Sequence, residues 1–426
     1  MSAERPRVPM AALAVVAGGV SASLHVGKLP PAVPALQASL GLGLVQAGFL
    51  ISLVQVAGVV FGLAVGGVAD SLGLRRSMLI GLCILSAASV LGGLVGLAVS
   101  DGPTAVGLLL ALRAVEGIGF LLAVMPGPGL VRAVTPPGAE KAVFGLWGSY
   151  MPLGVALALL AGPVLIGWAG WPGWWWVLSA CSAAAAAWIA IVVPADAARA
   201  AAGRGANTAT KARGGEAWSA RLRQTLRASG PWILGFSFMV YASQWLAVIG
   251  FLPSIYAAAG VTAGASAALT ALAAAMNIGG NLMAGRLLQR GVAPVLLLRI
   301  GFVVMAVCGI AAFARTGVAP DAAGLPPALR YLAICIFSLV GGLVPATLFM
   351  LGVRLAPGPS TVSTTVGLMQ QASAFGQFAA PPLVAWLAHR MGGWQWTWVV
   401  TLALSLAGLA FAALLAQRRG ARMAMP

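Results

Sequence analysis

Apolar positions along this chain fall into blocks of roughly twenty residues or more, with polar positions gathered between them. Inside a block, neither the alternation of a half-buried strand nor the one-sided stripe of a surface helix stands out. That is the pattern of helices apolar on every side, and about 20 residues let a helix cross a hydrocarbon core. Twelve such segments are predicted. Six are Pro9–Pro31, Gly43–Ala69, Ser77–Val99, Thr104–Val131, Ala142–Gly167 and Trp174–Val193. A polar stretch intervenes before Trp232–Tyr256, Ala263–Leu288, Ala293–Ala314, Leu329–Val353, Ser363–Leu387 and Trp396–Ala416.

The fourth segment breaks its own pattern. Near the middle of Leu109–Arg132 stand a cation, Arg113, and a carboxylate, Glu116. Three apart on a helix, they share a face and can touch. A charge at mid-bilayer costs roughly 2.5–3.5 kcal/mol on insertion scales, against about 0.3–0.6 returned by each Leu or Phe. The segment inserts, but its charges are a cost, and intramembrane charges typically serve transport or proton transfer. A self-neutralising structural pair is the alternative. Glu116 is the one acidic residue inside a predicted span. Low dielectric favours the protonated carboxyl and a neighbouring guanidinium opposes it, so rearranging the pair would change its proton affinity.

His25 and Lys28 in the first segment also share a face. Lys28 either snorkels towards the membrane surface or joins Arg113 in attracting an anion. Tyr150, Tyr241, Gln244, Asn277 and Gln370 lie within spans and are candidate solute contacts, with hydrogen bonds between helices as the alternative. Met276, Met283 and Met369 lack a spacing that converges on a metal. No phosphate-binding loop or hydrolytic motif occurs, so neither enzyme activity, a cofactor nor a metal site is expected.

Composition agrees with the pattern. Of 426 residues, 60% are hydrophobic and 8% charged, with a mean hydropathy of +0.97; a soluble chain carries about a quarter charged residues. Fifty-six glycines suit close helix packing. Cys83, Cys181, Cys308 and Cys335 stand in apolar runs and read as core residues. The net charge of +17 would suit nucleic acid, but the cations are placed as topology signals: with the N-terminus in the cytoplasm, twenty of the 25 Lys and Arg face inward. Both termini are therefore expected in the cytoplasm, and the first segment reads as a span and not a cleaved signal. The bilayer, and not nucleic acid, is the expected partner.

Seven Lys and Arg lie in the stretch between the sixth and seventh segments. The predicted organisation is a six-helix bundle over residues 1–193, a basic linker over 194–230 and a second bundle over 231–426. The linker segment AWSARLRQTLRASG is a candidate helix on anionic lipid. At an offset of 222, Arg132, Gly145 and Gly154 map onto Arg354, Gly367 and Gly376, and Trp clusters follow in both halves. Parallel six-helix repeats with a midplane site are a transporter architecture.

Between the second and third segments runs GGVADSLGLRRSMLIG, with Gly67, Asp70, Gly73, Arg75 and Arg76. This resembles the loop signature of the major facilitator superfamily; the resemblance implies a gating latch at these residues, an all-α fold of twelve transmembrane helices in two six-helix pseudo-repeats, and a central cavity. In the matching loop of the second half, Gln289 stands where an aspartate is expected. Arg113, Gly117 and Gly119 fit that family's pattern associated with proton coupling, and Gly162–Pro163 resembles part of an exporter signature. Residues 117–126, GIGFLLAVMP, and 144–147, FGLW, are similar to its cyanate and nitroimidazole transporter branch. The expectation is a monomeric secondary transporter of a bacterial inner membrane. It would move a small anionic or weakly acidic solute, with protons through Glu116 and Arg113, in a wet electropositive chamber between the halves. Proton-driven efflux of hydrophobic or cationic drugs is the alternative.

Overall fold

The computed structural model describes residues 8–63, 72–136, 143, 146–195, 218–315, 324–358 and 361–423. Apart from short turns and loops, these residues are helical. The first half comprises α1 (Met10–Gly27), α2 (Leu29–Leu40), α3 (Leu44–Ser52), a 3-10 turn (Leu53–Gln55), α4 (Val56–Phe61), α5 (Leu74–Ala98), α6 (Gly102–Val124), α7 (Gly127–Val134) and α8 (Tyr150–Val192). The linker contributes α9 (Trp218–Arg227). The second half comprises α10 (Ser229–Ala258), α11 (Ala263–Gln289), α12 (Pro294–Phe313), α13 (Pro327–Gly341), α14 (Leu343–Leu355), α15 (Val362–Arg390), a 3-10 turn (Trp394–Trp396) and α16 (Thr397–Met423).

Ten helical segments among the described residues are long and apolar enough to cross a membrane. The difference from the twelve expected spans has two sources, neither of which removes a helix. The fifth and sixth join in α8, 43 residues long, across a kink where Gly170 takes φ 70°, a conformation glycine adopts without a Cβ clash. The eleventh, α15, is a 29-residue helix too polar to qualify, because one of its faces is turned to the other half of the protein. The first span also continues past its expected end at Pro31, to Leu40. Pro30 and Pro31 occupy the first turn of α2, where their missing N–H groups are tolerated, so the chain breaks at Lys28 and resumes as a helix.

Each half is held by small residues. A Cβ on Gly154 of α8 would stand 2.5 Å from Ser23 Cβ and 2.6 Å from Val20 O of α1. In the second half, a Cβ on Gly376 of α15 would stand 2.6 Å from Met239 O of α10 and would also meet Ser243. The two glycines are 222 residues apart and make equivalent contacts, so the repeat seen in sequence is a repeat of packing.

The halves meet along α3 and α4 against α15, along α8 against α11, and where α2 touches α10. Gln55 Nε2 donates to Gln377 Oε1 at 3.2 Å, and Gln371 Nε2 donates to Val59 O at 2.6 Å. Phe49 and Phe378 pack with ring centroids 6.4 Å apart.

Candidate functional site

Four ionisable side chains converge inside the first half. Arg113 and Glu116 occupy one face of α6, and Arg113 Nη1 donates to Glu116 Oε2 at 2.5 Å. Gly117 and Gly119 let this part of α6 lie close to its neighbours. A Cβ on Gly117 would be 2.7 Å from Val54 O, and one on Gly119 would be 2.8 Å from Gly81 O. Arg113 Nε donates to Leu50 O at 2.9 Å, an acceptor freed near the end of α3.

Lys28, at the break between α1 and α2, reaches across the bundle. Its Nζ donates to Glu116 Oε1 and, at 3.1 Å, to Ser89 Oγ of α5, and lies 4.7 Å from the centre of the Trp175 ring. The break itself is pinned, because Trp174 Nε1 donates to Lys28 O at 3.1 Å. One turn earlier, His25 Nε2 lies 2.8 Å from Ser182 Oγ, which is 3.1 Å from Ser21 Oγ. His25 Nδ1 faces Glu116 Oε1 at 3.6 Å.

The four residues are sealed: His25 and Lys28 are 0% exposed, Glu116 1% and Arg113 2%. Lys28 therefore does not snorkel to the surface, since the carboxylate offers it a partner inside. Nor is the cluster the lining of a wet chamber in this arrangement; it lies within the first half, enclosed by α1, α5, α6 and α8. Surface cavities of about 320 and 400 Å³ are lined by other residues, Leu91, Leu94 and Leu108 in one and Val353, Ala356 and Gly358 in the other.

Charge and hydrogen bonding do not close. Two cations share one carboxylate, one on each oxygen. Arg113 Nη2 and His25 Nδ1 are buried without a hydrogen-bond partner. A buried donor left unpaired costs about 1–3 kcal/mol, and more when charged. The second half is built differently. The offset of 222 places Cys335 and Ser338 of α13 at the positions of Arg113 and Glu116. There Trp245 Nε1 donates to Ser338 Oγ at 3.1 Å, and Asn277 Nδ2 donates to Ser338 O at 3.0 Å and to Tyr241 Oη at 2.8 Å. Neutral hydrogen bonds fill the same place in the repeat, so the fold does not require charges there.

Tyr241 and Asn277, expected as solute contacts, are thus bonded to each other. Gln244 donates to Val240 O at 3.2 Å and accepts from Ser405 Oγ at 3.0 Å. Tyr150 stacks on Trp147, centroids 4.6 Å apart, and Gln370 is half-buried. Of the expected gating loop, Gly67 and Asp70 lie outside the described residues. Gly73 takes φ 90° immediately before α5, and Arg75 Nη2 donates to Ala190 O at 2.6 Å, near the end of α8. That bond stays within the first half and places a cation on late carbonyls of a helix, where one is favoured.

Sequence reasoning missed Ser89, Ser182, Trp174 and Trp175. A signal was present: Ser86 and Ser89, and Ser179 and Ser182, are serine pairs three apart within apolar stretches of α5 and α8, and Ser86 and Ser179 hydroxyls meet at 2.8 Å.

Residues 11–379 match the Major Facilitator Superfamily. The puromycin resistance protein pur8 of Streptomyces alboniger is 33% identical over 145 residues, covering 33% of this chain and 26% of that protein. Among solved structures, a D-xylose–proton symporter aligns with TM-score 0.71 at 14% identity, covering 95% of this chain and 96% of the other. A bacterial homologue of the human lysosomal transporter Spinster, in an inward-facing and occupied conformation, aligns with TM-score 0.73 at 15% identity, again covering 95% and 96%. A partially occluded inward-open form of the xylose transporter XylE from E. coli gives 0.71 at 14%, covering 96% and 97%.

Proposed function

This chain belongs to the Major Facilitator Superfamily, and we propose that it is a secondary transporter moving a small anionic or weakly acidic solute by alternating access, coupled to protons. The observation that carries the reading is the unequal charge count: Lys28 and Arg113 stand on a single carboxylate, with Arg113 Nη2 unpartnered. An anion would supply the missing acceptor and charge-assisted hydrogen bonds. For the charges to meet solute, the enclosing helices part, and the ion pairs around Glu116 rearrange as they do. Rearrangement of the ion pairs that Arg113 and Lys28 make with Glu116 is the coupling step.

In this reading His25, Lys28 and Arg113 bind the solute from one half, while Tyr150, Tyr241, Gln244, Asn277 and Gln370 shape its fit. The likeness of spans four and five to the cyanate and nitroimidazole branch points to the same solute class. The halves are residues 1–193 and 231–426, tethered by 194–230. The protein works as a monomer in an inner membrane with both termini cytoplasmic, the loop from Gly67 to Arg76 gating the inner side.

The test is a thermal-shift screen of purified protein against small carboxylates, inorganic anions and lipophilic cations. Stabilisation by anions in the parent protein, lost in Arg113→Ala, supports the reading; stabilisation by lipophilic cations alone overturns it.

A second reading, efflux of a drug, is favoured by the local likeness to the puromycin resistance protein. Against it, a cationic drug would need an unpaired interior acid, and Glu116 carries two partners. Gly162, part of the exporter-like Gly–Pro pair, serves packing, since a Cβ there would stand 2.6 Å from Pro31.

A further inference from the structure

We propose that Lys28 is the group that gives up and takes back the transported proton, with Glu116 its fixed counter-ion. Every ionisable group facing Lys28 enters one charge balance. From α1 there is His25, and from α6 there are Arg113 and Glu116; α5 presents Ser89 and α8 presents Trp175 and Ser182, none of them ionisable in the ordinary range.

With Lys28 and Arg113 charged, Glu116 ionised and His25 neutral, the sealed cluster holds one positive charge in excess. Uncompensated charge in a dry interior is costly by several kcal/mol even after relaxation. Protonating Glu116 or His25 raises the excess to two. Arg113 has no deprotonated form in proteins, whereas a buried lysine changes protonation readily. Loss of one proton from Lys28 is the single step that brings the cluster to neutrality. The ammonium becomes an amine and the proton passes to water on the side where the site was last open.

The geometry allows this at little cost. Arg113 keeps Glu116 Oε2, and the amine still donates to Glu116 Oε1 and Ser89 Oγ. In the solute-loaded form the anion balances the charge and Lys28 retains its proton. Anion and proton then occupy the site together, one of each, or the site closes empty and neutral. The first half of this statement rests on the anion reading above; the second does not.

Two measurements separate them. The first is the thermal midpoint of the protein in lipid nanodiscs from pH 6 to pH 9, without added solute, for the parent, Lys28→Met and Lys28→Arg. Since a deprotonated Lys28 leaves the closed site neutral, the parent should gain about 2 °C or more over Lys28→Met as pH rises. Lys28→Arg, which cannot shed its charge, should stay low throughout. Parallel profiles for parent and Lys28→Met overturn the proposal. If Lys28→Met does not fold, Lys28→Gln takes its place in the comparison.

The second is proton uptake from weakly buffered solution on adding formate, benzoate or nitrate. About one proton per bound anion is expected for the parent, and none for Lys28→Arg. Anion binding without proton uptake overturns the proposal and leaves the anion reading standing. A pH-dependent gain with no anion bound leaves Lys28 as the proton site and removes the anion.

Discussion

The Lys28 amine and the Glu116 carboxylate, 88 residues apart in sequence, meet directly in the interior of the first six helices. Arg113, three residues from Glu116, takes the other oxygen. One carboxylate therefore takes partners from two spans, and its loss leaves Lys28 and Arg113 without their shared acceptor at once.

Glu116→Gln should accordingly be strongly destabilising. Removing one partner of a buried ion pair costs about 3–5 kcal/mol, because the other charge stays behind. Lys28→Met on its own removes charge as well as contact and should cost less. The double variant should recover part of the loss of Glu116→Gln. Thermal midpoints of the four proteins form a double-mutant cycle, and additive losses would mean the two side chains do not interact.

The glycines after Arg113 give a prediction about packing. Gly117→Ala and Gly119→Ala each place a methyl within 2.8 Å of a backbone oxygen on a neighbouring element, which cannot yield as a side chain would. Overpacking of this kind costs about 1–3 kcal/mol. On the same helix, a Cβ on Gly107 meets nothing within 4 Å, so Gly107→Ala is the matched control and should be neutral or slightly stabilising. Monodispersity and thermal midpoint after detergent extraction distinguish the three.

These two cases also mark how far the sequence could be read. The Arg113–Glu116 contact follows from spacing on one helix, and the equivalence of Gly154 with Gly376 follows from the repeat. Local spacing carries no information on which spans adjoin, so Lys28 on Glu116, and His25 on Ser182, were out of reach. Seeing Lys28 as a snorkelling side chain is reasonable for a lysine considered alone; a buried partner from another helix decides otherwise. The extent of α15 was legible but its polarity was not explained until its Gln face was seen against α3 and α4. The expected latch residues Gly67 and Asp70 lie outside the described residues, so only Gly73, Arg75 and Arg76 bear on that loop.

Asp101 supplies the one pH prediction outside the spans. It caps α6, its carboxylate accepting from the Thr104 amide at 2.9 Å, and hydrogen bonding from the Thr104 side chain and then from that amide holds its carboxyl below the usual carboxylate range. A depressed carboxyl stabilises the fold above its unfolded-state value of about 3.9. The contribution is lost as pH falls through the lower folded value. Hydrogen exchange at the Thr104 amide should therefore be protected at pH 5 and progressively less so below pH 4. Asp101→Asn, an equally good uncharged cap, should remove this pH dependence while keeping protection at pH 5. Unchanged pH dependence in that variant would show that another group is responsible.

The contact between halves is open to the same kind of test. Gln55 and Gln377 bond across the interface, and Gln377 Nε2 in turn donates to Ser373 Oγ at 3.1 Å. The alternating access proposed above would open and close this interface, so it should be held by bonds weak enough to exchange. Polar bonds between membrane helices couple by about 0.6 kcal/mol on average and about 1.7 at most. A double-mutant cycle of Gln55→Leu and Gln377→Leu should return a coupling in that range. Each single variant should lower the thermal midpoint slightly, and both should speed exchange between conformations, read by fluorescence from dyes placed one on each half. A coupling several times larger would describe a static joint between the halves, and movement would then have to be sought along α8 and α11 instead.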